Sequence, residues 1–248
     1  MTTLEFPDLL RLIDERSAAF RAAVADAPGL DVPVPTCPGW TLLDLVRHLG
    51  EGQRTWAATV AAGPASAKAV VESSPVAPED LLAWSAESAE ALLGTLRESG
   101  PDRGCWTWWE GSQSPSTSGA VARHRLQEVA VHTYDAQIAA GAPQPLPTEV
   151  ALDGVDEFLA TCCAGPYVWP HKPAVLDYHA TEGRSWRLWL TADGVRVASP
   201  DPSPADASIR GTASDLVLVL YLRIPVDSLE TTGDTHIFEQ LIDWDPDE

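Results

Sequence analysis

Residues 118–140, SGAVARHRLQEVAVHTYDAQIAA, hold the pattern around which the rest of this chain can be interpreted. The spacing of their apolar side chains predicts one long helix that ends before Gly141 and Pro143. Glu128 and His132 lie four residues apart, so both side chains project from the same helical face about one turn apart. A carboxylate is rarely buried without a partner, and a metal ion bound by both groups would compensate its charge.

A third ligand would complete an open metal site, and His48 on an earlier helix is the candidate. Three protein ligands leave a fourth position for water or substrate, which is typical of catalytic zinc sites. His124 and Asp135 fall near the same face as Glu128, so we expect them to orient a ligand imidazole. Two other interpretations stay open: His48 as a hydrogen-bonded core histidine, and the polar groups of 118–140 as a surface stripe.

Three more helices are predicted before this one, over residues 8–27, 42–62 and 78–100. Thr41 is the expected N-cap of the second, with Asp44 at its third helical position. Four helices of this length predict a helical bundle.

The pattern changes after Pro147, where short alternating segments replace long helical ones. Three of them, separated by Gly-containing turns, predict an antiparallel meander, and a fourth strand and several short helices complete the region. The predicted strands cover 174–180, 185–191, 195–199 and 206–211, and the predicted helices cover 150–164, 214–222 and 235–244. The expected fold class is therefore α+β, with a four-helix bundle over 1–146 and a smaller α+β domain on an antiparallel sheet over 147–248.

Composition and charge limit the possible partners of the protein. The 248 residues carry a formal net charge of -20, which disfavours binding to nucleic acid or anionic membranes. No apolar run approaches the roughly 20 residues of a membrane span, and the first residues show no secretion signal. We therefore expect a cytoplasmic monomer that acts on a small molecule.

The four cysteines, Cys37, Cys105, Cys162 and Cys163, show no CxxC spacing. Neither a disulfide framework nor a cysteine zinc site is indicated, and we expect buried, reduced thiols.

Two motifs resemble those of a known family. Residues 36–41, TCPGWT, open the helix that contains His48, and Glu128, His132 and Asp135 form an E-x3-H-x2-D element. Their order and separation resemble the mycothiol-dependent maleylpyruvate isomerase family of the DinB-like superfamily. The resemblance covers nearly the whole chain.

This resemblance implies a DinB-like four-helix bundle that binds a divalent metal, usually zinc, through His48, Glu128 and His132. It also implies a C-terminal domain that helps to close the site, and mycothiol, the low-molecular-weight thiol of actinobacteria, as cosubstrate. Two imidazoles and one carboxylate leave such a metal with net positive charge, so that a thiol can bind as thiolate near neutral pH. In the isomerase the thiolate adds to a cis double bond, and elimination after rotation leaves the trans isomer. In related S-transferases it attacks another electrophile.

The family also places a functional arginine in the C-terminal domain, and Arg223 is the best match, with Arg210 in reserve. The family pattern has glycine before this arginine, whereas this chain has Leu222, and either arginine could equally be a surface charge. The cluster Trp106, Trp108 and Trp109 is interpreted as the wall of a substrate pocket, with core filling or an interface as the alternative.

Two other functions remain open at this stage. A metal-dependent hydrolase would use bound water as nucleophile, and a non-catalytic protein would bind metal or thiol without turnover.

Overall fold

A computed structural model describes residues 4–65, 67–72 and 76–244. Contacts divide the chain into two compact units, one of Met1–Trp108 with Ser116–Leu146 and one of Trp109–Pro115 with Pro147–Glu248. The segment 109–115, which the sequence-based division assigns to the first domain, packs with the second unit.

The first unit contains four long helices, α1 (Phe6–Asp26), α2 (Leu42–Ala62), α3 (Leu81–Ser99) and α4 (Ser118–Ala139). They match the four predicted helices, although α3 is preceded by a separate 3-10 turn, Pro78–Asp80. Helix α1 packs on α4 and α2 packs on α3, around a core that includes Phe20, Leu45 and Val129.

Two of these helices, α2 and α4, carry the polar residues of interest. Thr41 caps α2 in a capping box: its side chain accepts from the Asp44 backbone N–H, and the Asp44 side chain accepts from the Thr41 backbone N–H. Helix α4 is enclosed on most of its circumference, since 15 of its 22 residues are buried. Its buried charged and polar side chains therefore meet other protein groups instead of water, and each needs a partner there.

The second unit combines helices with a five-stranded sheet. Helix α5 (Thr148–Phe158) continues into a π-helical turn (Leu159–Cys163), and α6 (Ala213–Leu220) and α7 (His236–Asp243) follow later. The strands are β1 (Ala174–Ala180), β2 (Ser185–Thr191), β3 (Gly194–Ala198), β4 (Ala207–Gly211) and β5 (Glu230–Gly233), in the order β3-β2-β1-β4-β5.

The α+β class is confirmed, but the prediction of an antiparallel sheet is wrong in one respect. Strands β1, β2 and β3 form the expected meander, whereas β4 pairs with β1 in parallel. The chain returns from β3 across the sheet, and Arg187 on β2 holds this return through bonds to Asp201 and Ser203. Asp206 then bonds to Val175 on β1: its backbone N–H donates to the Val175 carbonyl, and its side-chain Oδ2 accepts from the Val175 backbone N–H. Helix α6 ends at Leu220, two residues earlier than predicted.

Strand β5 was not predicted from the sequence. Its four residues, Glu-Thr-Thr-Gly, are mostly exposed and show no apolar alternation, so only pairing with β4 defines it. Among the described residues no helix is both long and apolar enough to cross a membrane.

Candidate metal centre

His48, Glu128 and His132 come together inside the first unit. The Nε2 atom of His48 on α2 lies 3.1 Å from Oε1 of Glu128 on α4. The Nε2 atom of His132, one turn further along α4, lies 3.5 Å from the same oxygen. Potential ligand atoms of all three side chains lie within 4.8 Å of one another. Two imidazole nitrogens and one carboxylate oxygen are a donor set that suits zinc and other divalent transition metals, so these residues fit such an ion.

One side of this cluster is open to solvent. The side chain of His48 is 43% exposed and that of Glu128 is 20% exposed, whereas His132 is 10% exposed. An ion held here would therefore keep a coordination position on the solvent side, which is what a catalytic site requires and a structural site lacks.

His132 is oriented by Asp135, one turn further along α4. Nδ1 of His132 lies 2.8 Å from Oδ2 of Asp135, whose side chain is fully buried. Since this bond occupies Nδ1, the Nε2 atom is the one left to face Glu128 and a metal. Cys37, His132 and Asp135 form a second group with ligand-like spacing. In that group Asp135 already receives several hydrogen bonds, which fits an orienting carboxylate better than a ligand.

The loop before α2 supplies those hydrogen bonds, and its role was missed in the sequence. Thr36 donates from Oγ1 to Oδ1 of Asp135 at 2.6 Å, and the Cys37 thiol donates to Oδ2 at 3.5 Å. Backbone bonds from Cys37 to Val34 and from Trp40 to Cys37 stiffen the loop. Gly39 has a φ of 82°, a conformation that favours glycine. Hydrogen bonds from the TCPGWT motif therefore fix the position of the Asp135 carboxylate.

Trp40, at the end of this loop, packs beside two of the imidazoles. Its ring centroid lies 4.8 Å from that of His48 and 6.5 Å from that of His132. The two histidine rings meet edge to face at 5.1 Å. These contacts restrict the rotation of both imidazoles, and the sequence-based interpretation gave Trp40 no such role.

Arg125 provides a cation next to the carboxylate, and it too was missed. Its side chain is 4% exposed, and Nη1 lies 3.5 Å from Oε1 of Glu128. Its position three residues before Glu128 is the i,i+3 spacing from which the pair could have been predicted. Gly52 on α2 leaves room for this guanidinium, because a Cβ there would approach Nη2 to 3.1 Å.

The electrostatics follow from this packing. Burial disfavours charge on Glu128, but the Arg125 cation and hydrogen bonds from His132 and His48 hold its pKa well below the usual range. Burial also disfavours an imidazolium at His132, yet hydrogen bonds with Asp135 and Cys37 and the nearby Glu128 raise its pKa to about 10. Without a metal, this raised pKa favours the protonated imidazole of His132 at neutral pH.

The remaining predicted site residues make other contacts. His124 sits in an aromatic cluster of the first unit, with its ring 6.4 Å from Trp56 and 5.6 Å from Trp108. Trp106 also contacts Trp56, at 6.0 Å, and Trp108 is 49% exposed. Trp109 belongs to the second unit, where it is fully buried and donates from Nε1 to the Pro115 carbonyl.

The two candidate arginines of the second unit differ in their surroundings. Arg223 follows α6, is partly buried and donates from Nη1 to the Tyr221 carbonyl at 2.7 Å. Arg210 on β4 has a side chain that is 56% exposed, with Nε 4.0 Å from Glu230. Arg223 is thus held in a defined position, while the charge of Arg210 faces solvent and a carboxylate.

Comparisons with known proteins match both parts of the sequence to family models. Residues 10–137 match the model of the mycothiol maleylpyruvate isomerase N-terminal domain, and residues 149–239 match the MDMPI C-terminal domain. No curated protein matches the chain at a significant level.

Among solved structures the fold resembles that of the mycothiol-dependent maleylpyruvate isomerase and of a histidine-to-alanine mutant of it. Each has a TM-score of 0.61 and 14% sequence identity, over 94% of this chain and 96% of the matched chain. At this identity the likeness concerns the fold. The matched domain models, which span both halves of the sequence, establish that this chain belongs to the mycothiol maleylpyruvate isomerase family.

Proposed function

We propose that this protein is a mycothiol-dependent enzyme that uses a divalent metal, with zinc as our first choice, to activate the thiol toward a small electrophile. The convergence of His48, Glu128 and His132 within 4.8 Å, in a member of this family, is the observation that supports the proposal. Isomerisation of the maleylpyruvate type is the reaction we favour, with S-transfer as its variant.

The chemistry divides between the ion and the protein. When bound, a divalent cation lowers the pKa of a coordinating thiol, so that the thiolate is present near neutral pH. With an ion bound, Asp135 would hold the remaining proton of His132 on Nδ1, so that the Nε2 lone pair would be available to the ion. Arg125 stabilises the Glu128 carboxylate, and Trp40 limits the movement of both imidazoles.

The isomerisation needs no reagent other than the substrate and mycothiol. Addition of the mycothiol thiolate to a cis double bond forms a C–S bond and leaves a carbanion on the neighbouring carbon. Rotation about the new single bond and expulsion of the same thiolate then give the trans isomer. The thiolate is released unchanged at the end, so mycothiol is required in the assay but is not consumed.

An acidic electrophile also requires a cation, and we propose Arg223 for this role. Its guanidinium is held by the Tyr221 carbonyl, and a positioned guanidinium can bind a carboxylate in bidentate geometry. Arg210, the reserve candidate, is more exposed and lies near Glu230, which reduces its value for anion binding.

The decisive experiment measures consumption of a panel of cis-configured and alkylating electrophiles by zinc-loaded protein, with and without mycothiol. Turnover that requires both metal and mycothiol is the expected result. His132→Ala should lose both stoichiometric metal and turnover, whereas the exposed surface variant His236→Ala should retain them. Turnover without added thiol would instead indicate a hydrolase. Metal binding with no response to mycothiol across the panel would indicate a non-catalytic binder.

A further inference from the structure

The second unit contains a partly open cavity of ≈ 200 Å³ that plays no part in the function proposed above. Its walls come from elements distant in sequence: Phe158 at the end of α5, Tyr178 on β1, Val219 on α6, and Phe238 and Leu241 on α7. The cavity thus lies where the central strand of the sheet faces the helices that follow it.

The lining is apolar and neutral. Among the described residues that line the cavity none carries a formal charge, and the ionisable groups are the thiols of Cys162 and Cys163 and the phenol of Tyr178. Burial, aided by Glu157, raises the pKa of Cys163 to about 12. Burial also raises the pKa of Tyr178 well above its usual value. These walls offer no charge to an ionic ligand but a large apolar surface to a neutral one.

Aromatic contacts hold the walls in place. The Tyr178 and Phe238 rings meet edge to face with centroids 5.8 Å apart. Trp244, another lining residue, packs in the same way on Trp169 at 5.3 Å. Rings locked against one another cannot easily collapse into the space, so the cavity is preformed.

Exposed apolar side chains complete the lining. Leu222 is 60% exposed and Ile242 is 45% exposed, and both line the cavity. They therefore mark its solvent-facing side, where an entering molecule would contact them. Large side chains that remain this exposed gain free energy when an apolar molecule covers them.

Leu222 also occupies a backbone position that suits glycine. Its N–H bonds to the Val219 carbonyl and the Arg223 N–H bonds to the Leu218 carbonyl, which is the Schellman pattern that ends many helices. The residue in the middle of this pattern adopts a left-handed conformation, and Leu222 has a φ of 61°. Glycine is favoured there because a Cβ is strained in this conformation. Leu222, at the rim of the cavity, therefore combines a strained backbone conformation with an exposed apolar side chain.

We propose that this cavity is a binding site for a neutral apolar molecule about the size of a benzene ring with a short alkyl substituent. A cavity of about 150 Å³ in another protein admits benzene, and this one is somewhat larger. Leu222 provides apolar contact at the entrance, which explains a leucine where glycine would be less strained.

Ethylbenzene is a suitable probe, and phenylacetate is its charged counterpart of similar shape. Calorimetric titration of the full-length protein should show one ethylbenzene site, with binding about tenfold or more tighter than that of phenylacetate, because the carboxylate loses its hydration without a partner. Equal binding of the two probes, or no ethylbenzene binding to the folded wild-type protein, would overturn the inference.

Two variants locate the site. Val226→Phe places extra volume in the lining and should weaken ethylbenzene binding about tenfold or more, since a filled cavity excludes the ring. Val168→Phe is the matched control, because Val168 is 63% exposed in the same unit and does not line the cavity. Equal affinity of the two variants would place the probe elsewhere and so refute the proposal.

Leu222→Gly separates binding from folding. Relief of the left-handed strain should raise the midpoint of thermal unfolding, while loss of the rim contact should weaken ethylbenzene binding. A variant that is more stable yet binds as tightly as wild type would show that Leu222 has no role in the site. These measurements need neither metal nor mycothiol, so their failure leaves the proposed function untouched.

Discussion

Asp135 Oδ2 lies 2.8 Å from His132 Nδ1, and this contact links the TCPGWT loop to the candidate metal ligands. Thr36 and Cys37 hold the carboxylate from one side, and the imidazole presents its Nε2 to Glu128 on the other. A single buried carboxylate thus connects two sequence motifs that are separated by almost a hundred residues.

Replacement of Asp135 tests this link. In Asp135→Asn the uncharged amide no longer favours a proton on Nδ1 of His132, so we expect zinc affinity to fall about 10- to 100-fold. Competition with a coloured chelator measures the change, and the exposed Asp193→Asn is the control. Unchanged affinity in Asp135→Asn, with the fold intact by circular dichroism, would mean that Asp135 does not orient His132.

Metal binding should depend on pH through His132. Its pKa of about 10 in the metal-free protein lies above the ordinary value of 6.5, so the ring holds a proton at neutral pH. Because that proton must leave before Nε2 can bind an ion, the apparent zinc affinity should rise about tenfold per pH unit between about pH 6 and 8. Calorimetry in buffers of different ionisation enthalpy should show about one proton released from His132 per ion. Affinity that is flat over this range would contradict the raised pKa.

The ion pair between Arg187 and Asp177 should dominate the stability of the second unit. Arg187 is 2% exposed and makes two bonds of 2.7 Å to the Asp177 carboxylate, whose side chain is 9% exposed. Arg187→Met leaves that carboxylate buried without a cation, and we expect a loss of about 3–5 kcal/mol in the free energy of unfolding. Urea denaturation measures the loss.

Two further variants check the cause of this effect. Arg187→Met combined with Asp177→Leu should recover much of the stability, because no charge is then left buried without its partner. Arg11→Met removes the half-exposed pairs with Asp8 and Glu15 in the first unit and should cost less than about 1 kcal/mol. Similar losses for Arg187→Met and Arg11→Met would show that burial of Asp177 is not the deciding factor.

The adjacent thiols Cys162 and Cys163 should differ in reactivity. Cys163 is buried with a pKa raised to about 12, so almost no thiolate forms at pH 8, whereas Cys162 is partly exposed. Iodoacetamide should therefore modify Cys162 first, as peptide mass spectrometry would show. Cys163→Ser should still be labelled in this peptide and Cys162→Ser should not. Equal labelling of both variants in the folded protein would contradict the assigned burial.

Several features could be predicted from the sequence because their signals are local. The bounds of α2 follow from the Thr41 and Asp44 capping box and from apolar spacing within one helix. The i,i+4 relation of Glu128 and His132 follows from helical geometry alone. The meander from β1 to β3 follows from alternation and glycine-containing turns between neighbouring segments.

Other features depend on residues that are far apart in the chain and carry no local signal. The approach of His48 to Glu128 requires α2 to pack beside α4, and the hydrogen bonds to Asp135 require the loop before α2 to reach the same point. The parallel pairing of β4 with β1 depends on how the chain returns across the sheet.

The sequence by itself therefore determined the helices, the strands of the meander and the pair of candidate ligands on α4. Tertiary structure decided whether His48 and Asp135, which the sequence offers only as candidates, come into contact with that pair, and which surfaces line the apolar cavity. The physical reason is the range of the interactions. Apolar periodicity and helix capping depend on residues that are close in sequence. Burial, charge pairing and strand order depend on contacts between segments that are far apart in sequence.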